Sequence, residues 1–323
     1  MDAILHHLKN SRKILIATHV NPDGDAIGSL IAMGLSLENL NKEVTFYTES
    51  AIPAVYQFLP CCDRVVSLLP PDAVYDTAIV LDCGQLGRTG KVEARLMKIP
   101  CVINIDHHTT NTGFGNLQLI DTLACATAEL VYLLIKKLSV PINPAIAAAI
   151  YTGILTDTGS FRFSNTNKNA FAICKKMMDY DVVPYLISQH VYGTYSLGRI
   201  KLLNLALDTI EISDNGKMSM MTVTRDMYER TRTSSEDTDG FINYAKRVAD
   251  IKMAVLIQEH LDGQKEADNG RSFHISLRSD GTVDVAAIAG AYGGGGHFSA
   301  AGFDMESGLA HIKGLIFNIA KNL

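Results

Sequence analysis

The sequence predicts a two-domain α/β protein. The N-terminal domain has a mostly parallel sheet flanked by helices, and the C-terminal α/β domain is smaller. Three observations predict this class. In the first half, short apolar runs alternate with stretches of helical periodicity, which is the pattern of βαβ units. Further on, an Asp-Asn-Gly turn at 214–216 separates two β-rich runs and predicts a hairpin. The length of 323 residues allows two domains at roughly 150 residues each.

The first predicted strand is Lys13–Ala17, a short apolar run (KILIA) that ends in a polar cluster. A helix follows over Ile27–Leu40, where apolar residues recur at helical spacing. The alternation then repeats and predicts strands at Val44–Tyr47, Ala78–Leu81 and Val102–Ile105. Strands separated by helices pair in parallel, so their carboxyl ends share one edge of the sheet. Ligands bind at that edge in such folds.

Helices dominate the prediction from Ala124 to Ala206, and the domain boundary is expected near residues 190–210. We predict a catalytic domain over 1–190, a linker over 191–212 and a substrate-binding domain over 213–323. The elements expected around and after the boundary are hairpin strands Thr209–Ile212 and Met218–Val223, a helix over Gly240–Asp250, strands Met253–Glu259 and Ser272–Arg278 with a turn over 262–270 between them, a glycine-rich loop and a final helix.

Charge and cysteine content exclude several classes of protein. Lys and Arg number 29 against 34 Asp and Glu, so the chain lacks the basic excess with which proteins grip long duplex DNA. The six cysteines form no CxxC pair, which argues against a disulfide framework and a structural zinc site. No run approaches the roughly 18 apolar residues of a membrane span, and the N-terminus lacks the apolar core of a signal peptide. We therefore expect a cytoplasmic protein without a membrane partner.

Four polar clusters carry the chemistry, and we place all of them at strand ends along one edge of the sheet. They are 18–25, 81–84, 105–108 and 153–159, and they supply His19, Asp23, Asp25, Asp82, His107 and Asp157. Six carboxylate and imidazole ligands are too many for one octahedral ion that keeps waters, but they suit two divalent ions that share a carboxylate. These ligand types favour Mn²⁺, with Mg²⁺, Co²⁺ or Fe²⁺ as alternatives. Two ions about 3.5–4 Å apart stabilise both the attacking and the leaving oxygen of a phosphoryl displacement.

Each cluster alone also has a structural explanation. A single Asp at a strand end is commonly a helix cap, and the Asn-Pro-Asp-Gly run at 21–24 is a good turn. Asp157, which precedes Thr158-Gly159, is also explained as the end of a helix. An isolated glycine run is commonly a flexible loop, and an isolated Arg at a strand end is usually solvated. The combination of four such clusters at one predicted edge favours the metal site.

A second group of residues indicates phosphate binding. Gly293–Gly296 directly precede His297, and successive glycine N–H groups form a nest that binds anions. Arg278 ends a predicted strand and offers a bidentate contact to a phosphate. We predict that substrate is bound by Arg278, Gly294, Gly295, Gly296 and His297.

These motifs resemble those of the DHH phosphoesterases. The matching residues are His-x-x-x-Asp-x-Asp at 19–25, Asp at 82, Asp-His-His at 106–108 and Asp at 157. The segment GGGGHFSAAG at 293–302 resembles the glycine-rich motif of the DHH-associated C-terminal domain, so the resemblance covers nearly the whole chain.

The resemblance implies a role for each site residue. His19 and Asp23 would hold one metal ion, and Asp25, His107 and Asp157 the other. Asp82 would bridge the two ions. His108 would contact the scissile phosphate or the leaving oxygen, while Asp106 would orient the adjacent histidines.

Features outside the motifs narrow the expected substrate. We expect no room for the extra nucleic-acid-binding domain of RecJ-like exonucleases, and no sensory or membrane segments like those of tethered cyclic-di-AMP phosphodiesterases. The Gly-Gly-Gly-His motif is absent from family II pyrophosphatases. The resemblance thus implies an enzyme that hydrolyses oligoribonucleotides of about two to five nucleotides to mononucleotides, and 3′-phosphoadenosine 5′-phosphate (PAP) to AMP and phosphate. Two alternative functions stay open: a phosphodiesterase for cyclic-di-AMP or linear pApA, and an inactive nucleotide-binding regulator. A homodimer is an open possibility for the assembly.

Overall fold

A parallel sheet organises the first half of the chain in the computed structural model, which describes residues 1–193, 195–261, 271–321 and 323. The chain divides into two units, Met1–Thr194 and Tyr195–Leu323. The turn expected over 262–270 lies outside the described residues. The predicted fold class is confirmed, because a parallel sheet with flanking helices is followed by a second unit with a mixed sheet.

The sheet of the first unit has the strand order β2-β1-β3-β4-β5 among the described residues, and all its pairs are parallel. The strands are β1 (Lys13–Ala17), β2 (Glu43–Tyr47), β3 (Thr77–Leu81), β4 (Cys101–Asp106) and β5 (Leu117–Ile120). The first four lie where the sequence predicts them. Strands β3 and β4 are buried throughout, as expected for a parallel sheet covered on both faces. The strand order reverses between β1 and β3, which is where ligands bind in open parallel sheets.

Helices cover this sheet, and α2 is the most buried of them. The helices are α1 (Asp2–Asn10), α2 (Gly24–Glu38), α3 (Glu93–Leu96), α4 (Thr127–Lys137), α5 (Pro144–Asp157), α6 (Lys168–Met178) and α7 (Pro184–Tyr192). Helix α2 packs against both α4 and α5. A Cβ atom at Gly28 would collide with the carbonyl oxygen of Ala149, so the glycine allows α2 and α5 to approach closely.

The structure corrects the expectation for the fourth polar cluster. Asp157 is the last residue of α5 and does not follow a strand. The apolar run before it forms a helix because Asn143 caps the first turn, accepting a hydrogen bond from the N–H of Ile146, and because Pro144 occupies the first helical position. The alanines at 145 and 147–149 add high helix propensity. Asp157 therefore approaches the other clusters from a helix that packs beside the sheet.

The second unit contains a mixed sheet with the order β10-β11-β9-β8-β7-β6 in the described part of the chain. Its elements are α8 (Leu197–Leu207), β6 (Glu211–Ile212), β7 (Met218–Val223), α9 (Arg225–Thr231), α10 (Ile242–Lys246), β8 (Met253–Glu259), β9 (Ser272–Ser279), α11 (Val285–Gly290), β10 (Gly295–His297), β11 (Ala300–Glu306) and α12 (Leu309–Ala320). Only β7 and β8 pair in parallel among these strands. The predicted hairpin is confirmed, since β6 and β7 are antiparallel across Gly216.

Two segments differ from their expectation. The segment 191–212, predicted as a linker, includes α8, which buries Leu202 and Ala206 in an apolar cluster of the second unit. The glycine-rich segment predicted as a loop instead pairs as the short strand β10 with β11. None of the described helices combines the length and apolar character that crossing a membrane requires.

Candidate metal centre

The loop after β1 presents three polar side chains at the carboxyl edge of the sheet. Asp23 caps α2, because its Oδ1 accepts the N–H groups of Asp25 (3.1 Å) and Ala26 (3.0 Å). His19 is 5% exposed, and its Nδ1 lies 2.8 Å from the carbonyl oxygen of Val20. Because Nδ1 faces this carbonyl oxygen, Nε2 on the opposite side of the ring points away from it. The strand end and the helix start together fix His19, Asp23 and Asp25 in one place.

Asp82 lies at the centre of the cluster. It follows β3 with φ of +54°, a left-handed conformation that Asp adopts more readily than most residues. The carboxylate is buried, and its Oδ1 accepts a hydrogen bond from the Thr127 hydroxyl at 3.0 Å. Oδ2 lies 3.7 Å from Nε2 of His19. Burial by itself would raise the pKa of Asp82, but the contacts with His19 and His108 outweigh it and hold the pKa well below its usual range. Asp82 is therefore ionised at neutral pH.

The last residue of β4, Asp106, holds the second histidine of the Asp-His-His motif. Its Oδ1 lies 2.7 Å from Nδ1 of His108. Its Oδ2 accepts a hydrogen bond of 2.5 Å from the side-chain amide of Asn111, which also donates to Oδ1 of Asn104 at 2.9 Å. Asp106 is thus fixed from one side and orients His108 on the other.

His107 faces three carboxylates. Its Nε2 lies 3.5 Å from Asp157 Oδ2, 3.7 Å from Asp82 Oδ1 and 3.9 Å from Asp25 Oδ2. Its Nδ1 lies 3.2 Å from the carbonyl oxygen of Ala124. The histidine that follows β4 therefore meets carboxylates from the first turn of α2, from the residue after β3 and from the end of α5.

The centre concentrates buried negative charge. Burial and the neighbouring carboxylates of Asp82 and Asp157 raise the pKa of Asp25 well above its usual value. Burial, together with the charges of Asp23 and Asp82, raises the pKa of Asp157 to about 7 against the opposing effect of His107. Divalent cations would relieve this repulsion, as the main-chain N–H groups that donate to the Asp25 carboxylate do in part.

The donor set fits divalent metal ions. Ligand atoms of His19, Asp23 and Asp82 lie within 4.8 Å of one another, and so do those of Asp25, Asp82 and His107. Ligand atoms of a third group, Asp82, Asp106 and His108, also lie within 4.8 Å of one another. Imidazole and carboxylate donors without a thiolate suit hard to borderline divalent cations. These clusters are therefore able to hold divalent metal, and Asp82 belongs to each of them.

Sequence reasoning missed the residues that support these side chains. Thr127 bonds Asp82, Asn111 bonds Asp106, and Asn165 donates to Oδ2 of Asp157 at 2.9 Å. Asn111 lies only three residues after the Asp-His-His motif, which is the one local signal available. Thr127 and Asn165 belong to later elements, and no spacing in the sequence connects them to their partners.

The predicted substrate-binding residues lie in the second unit. Ala300 of β11 pairs with Arg278 of β9 on one side and with His297 of β10 on the other. Directly opposed residues of antiparallel strands point to the same face, so Arg278 and His297 share a face, two strand spacings of roughly 4.8 Å apart.

The glycines before His297 have a structural reason to be there. A Cβ atom at Gly294 would collide with the carbonyl oxygen of Gly302, and one at Gly296 would collide with that of Ala300. Gly296 also has φ of +145°, a conformation that other residues rarely adopt. Gly295 pairs with Gly302 in the hairpin. Close approach of β10 to β11 therefore requires glycine at two of these positions, independently of any ligand.

Comparison with known proteins agrees with both units. The model of the DHH family, N-terminal domain, matches residues 13–154, and the model of the DHHA1 domain matches residues 220–317. A Thermus thermophilus protein named bifunctional oligoribonuclease and PAP phosphatase NrnA is 35% identical over 300 residues, covering 91% of this chain and 84% of that protein. The Bacillus subtilis protein of the same name is 26% identical over 297 residues, covering 91% and 90%. The crystal structure of an exopolyphosphatase-related protein from Bacteroides fragilis has the same fold, with a TM-score of 0.88 at 24% identity over 99% of this chain and 95% of that one.

Proposed function

The chain belongs to the DHH family, and we propose that it is a metal-dependent phosphoesterase. Its substrates are short oligoribonucleotides of about two to five nucleotides, which it hydrolyses to mononucleotides, and PAP, which it hydrolyses to AMP and phosphate. The names of the Thermus thermophilus and Bacillus subtilis relatives, which align along nine-tenths of this chain, support both activities.

One observation carries the proposal: the buried carboxylate of Asp82 belongs both to the cluster with His19 and Asp23 and to the cluster with Asp25 and His107. His19 and Asp23 would hold one divalent ion, Asp25, His107 and Asp157 would hold the other, and Asp82 would be a ligand of both. The mixture of imidazole and carboxylate ligands favours Mn²⁺. When bound, two such ions lower the pKa of water and neutralise charge on the phosphoryl oxygens.

The remaining roles belong to side chains that meet the substrate. Asp106 holds Nδ1 of His108 at 2.7 Å and so keeps the ring oriented toward the phosphoryl or leaving oxygen. A fixed donor of this kind stabilises charge that develops in the transition state. In the second unit, Arg278 and His297 share one face of the sheet beside the glycine hairpin and bind a terminal phosphate or nucleotide, with Gly294, Gly295 and Gly296 allowing its close approach.

A substrate panel with purified protein in Mn²⁺ tests this function. We expect turnover of pApA, a five-nucleotide RNA and PAP, with slower turnover of cyclic-di-AMP. Preference for the cyclic substrate would support the dinucleotide phosphodiesterase instead. Binding of all four without turnover would support the inactive regulator.

Asp82→Ala provides the matched test of the site. Loss of the shared carboxylate removes a ligand from both clusters, so we expect hydrolysis of every substrate to be lost while the fold is retained. Asp72→Ala removes an exposed carboxylate from the same unit and is the control. Near-full activity of Asp82→Ala would contradict the bridging role.

A further inference from the structure

A cleft of about 410 Å³ lies beside the carboxyl end of β2, and we call it the β2 cleft. Two segments after β2 form its walls together with one further side chain, and the lining residues are Thr48, Ser50, Ala51, Ile52, Gln57, Cys62, Asp63, Val65, Val66 and Ser67. Val66 extends the sheet edge, because it forms a parallel bridge with Tyr47. The volume falls in the range of sites that take small organic ligands.

The β2 cleft is next to the candidate metal centre. Ala17 of β1 pairs with Tyr47 of β2, so the chains leave neighbouring strands together on their way to His19 and to the cleft. Ser50, which lines the cleft, accepts the N–H of Asn21 at 2.9 Å and donates to Oδ1 of Asn21 at 3.2 Å. Asn21 lies midway between the proposed metal ligands His19 and Asp23. The loop that holds one ion is therefore bonded directly to a wall of the cleft.

The lining excludes a phosphate and suits an uncharged group. The ten lining residues contain no Lys or Arg, and their one carboxylate, Asp63, would repel an anion. Burial raises the pKa of the Cys62 thiol to about 11, so this side chain is neutral as well. The lining combines three hydroxyls and one amide with the apolar side chains of Ile52, Val65 and Val66. Such a mixture matches a nucleoside, which has an apolar base face and polar edges.

One residue that lines the cleft, Thr48, has a side-chain hydroxyl without a hydrogen-bond partner among the described residues. Thr48 is 2% exposed, and its Oγ1 has no hydrogen-bond partner among the described residues. Buried hydroxyls in proteins are nearly always bonded, and an unbonded one calls for an explanation such as an absent water or ligand. A hydroxyl can both donate and accept, so a rotation about χ1 that brings Oγ1 to the cleft surface would let it bond either kind of group on a base or a ribose.

We propose that the β2 cleft binds the second nucleoside of a dinucleotide, the one that keeps the phosphate after cleavage. This rests on the proposed function. In both pApA and PAP, water adds to the phosphorus on the 3′-oxygen of the first nucleotide, the P–O3′ bond breaks, and that oxygen leaves with a proton. In pApA the phosphorus also carries a second nucleoside through its 5′-oxygen. PAP has no such nucleoside. The cleft therefore contributes to the binding of pApA and makes no contact with PAP.

The test compares kcat/KM for pApA with kcat/KM for PAP in Mn²⁺. Thr48→Val keeps the shape and removes the hydroxyl, and we expect it to lower the ratio of pApA to PAP about 3-fold to 10-fold, the value of one hydrogen bond. Val66→Phe fills the cleft from its rim, where Val66 is 36% exposed, and should lower the ratio by more than about 10-fold. Val74→Phe makes the same change at a surface position outside the cleft that is 75% exposed, and should leave the ratio as it is.

The results separate this inference from the proposed function. If the unsubstituted protein hydrolyses neither substrate, the proposed function is wrong, and the assignment of a nucleoside to the cleft is overturned as well. If it hydrolyses both but neither cleft variant changes the ratio, only the cleft assignment is overturned. An equal fall for both substrates in Thr48→Val, accompanied by a lower Tm, would also overturn it, because that pattern indicates a structural role.

Discussion

The carboxylate of Asp25 accepts the main-chain N–H of Thr127 at 2.6 Å across 102 residues of sequence. The N–H of Ala128 donates to the other oxygen at 2.9 Å. Helix α4 has no cap from the side chain of its own N-cap residue, Ala126, so Asp25 takes that place. A helix N-terminus stabilises an anion through its unpaired N–H groups and its dipole. The start of α4 therefore fixes Asp25 by its backbone and Asp82 by the Thr127 hydroxyl.

Thr127→Val is expected to weaken metal binding. The variant keeps the backbone contact to Asp25 but loses the hydroxyl that holds Asp82 at 3.0 Å. Groups that orient a metal ligand typically contribute about 10-fold to 100-fold in affinity, and we expect a loss in that range for Mn²⁺ by isothermal titration calorimetry. Thr127→Ser keeps the hydroxyl and serves as the control. Equal affinities in the two variants would mean that the hydroxyl does not orient Asp82.

His297→Ala should weaken substrate binding and leave metal binding intact. His297 shares a face with Arg278 in the second unit, whereas the proposed metal ligands all belong to the first. We expect KM for PAP to rise about 10-fold, the value of a hydrogen bond to a charged group, with an unchanged Mn²⁺ titration. His311→Ala removes an exposed histidine of α12 from the same unit and is the control. An unaltered KM in His297→Ala would remove this residue from the substrate site.

Two glycine substitutions should change stability in opposite directions. Gly294→Ala places a methyl group against the carbonyl oxygen of Gly302, and we expect it to cost about 2 kcal/mol or more in the free energy of unfolding. Gly314 lies within α12 with nothing near its Cβ position. Gly314→Ala should therefore stabilise the protein by about 0.5–1 kcal/mol, through helix propensity. Urea denaturation measures both, and a neutral Gly294→Ala would contradict the close packing of β10 on β11.

Glu129 gives a stability effect that depends on pH. Its buried carboxylate accepts hydrogen bonds from the N–H of Cys125 and from the amides of Asn167 and Asn169. Although burial opposes them, these bonds lower the pKa of Glu129 below its usual value. A carboxylate whose pKa is lower in the folded state stabilises the fold above its unfolded pKa of about 4.3. That contribution is lost as the pH falls through the folded pKa.

Glu129→Gln tests this contribution by denaturation at several pH values. We expect the variant to be less stable by about 1.5–3 kcal/mol at pH 7, the value of a hydrogen bond to a charged group. The difference from the unsubstituted protein should shrink as the pH falls below about 4.3. A difference that stays constant down to that range would show that the ionised carboxylate is not the stabilising form.

Local sequence patterns were sufficient for the parallel strands and for the clusters that follow them. The run at 13–17 forms β1 and the run at 78–81 lies within β3, because short apolar segments buried on both faces have few alternatives. Since parallel strands share an edge, the grouping of His19 with Asp82 followed from topology alone.

Local sequence patterns do not predict contacts between elements that are distant in the chain. Asp157 was placed at a strand end, yet it ends α5, since an apolar run with an N-cap and alanines forms a helix where periodicity alone does not decide. Thr127 was missed because its partners are far away in sequence. For the glycines at 294 and 296 the sequence offers phosphate binding or a flexible loop as explanations, and their close packing against β11 is a contact between segments that no local pattern indicates.

Anomalous scattering from crystals grown with Mn²⁺ tests the central claim most directly, because it locates the ions themselves. The account predicts two peaks on either side of the Asp82 carboxylate, about 3.5–4 Å apart, one beside His19 and the other beside His107. A single peak, or two peaks neither of which contacts Asp82, would contradict it.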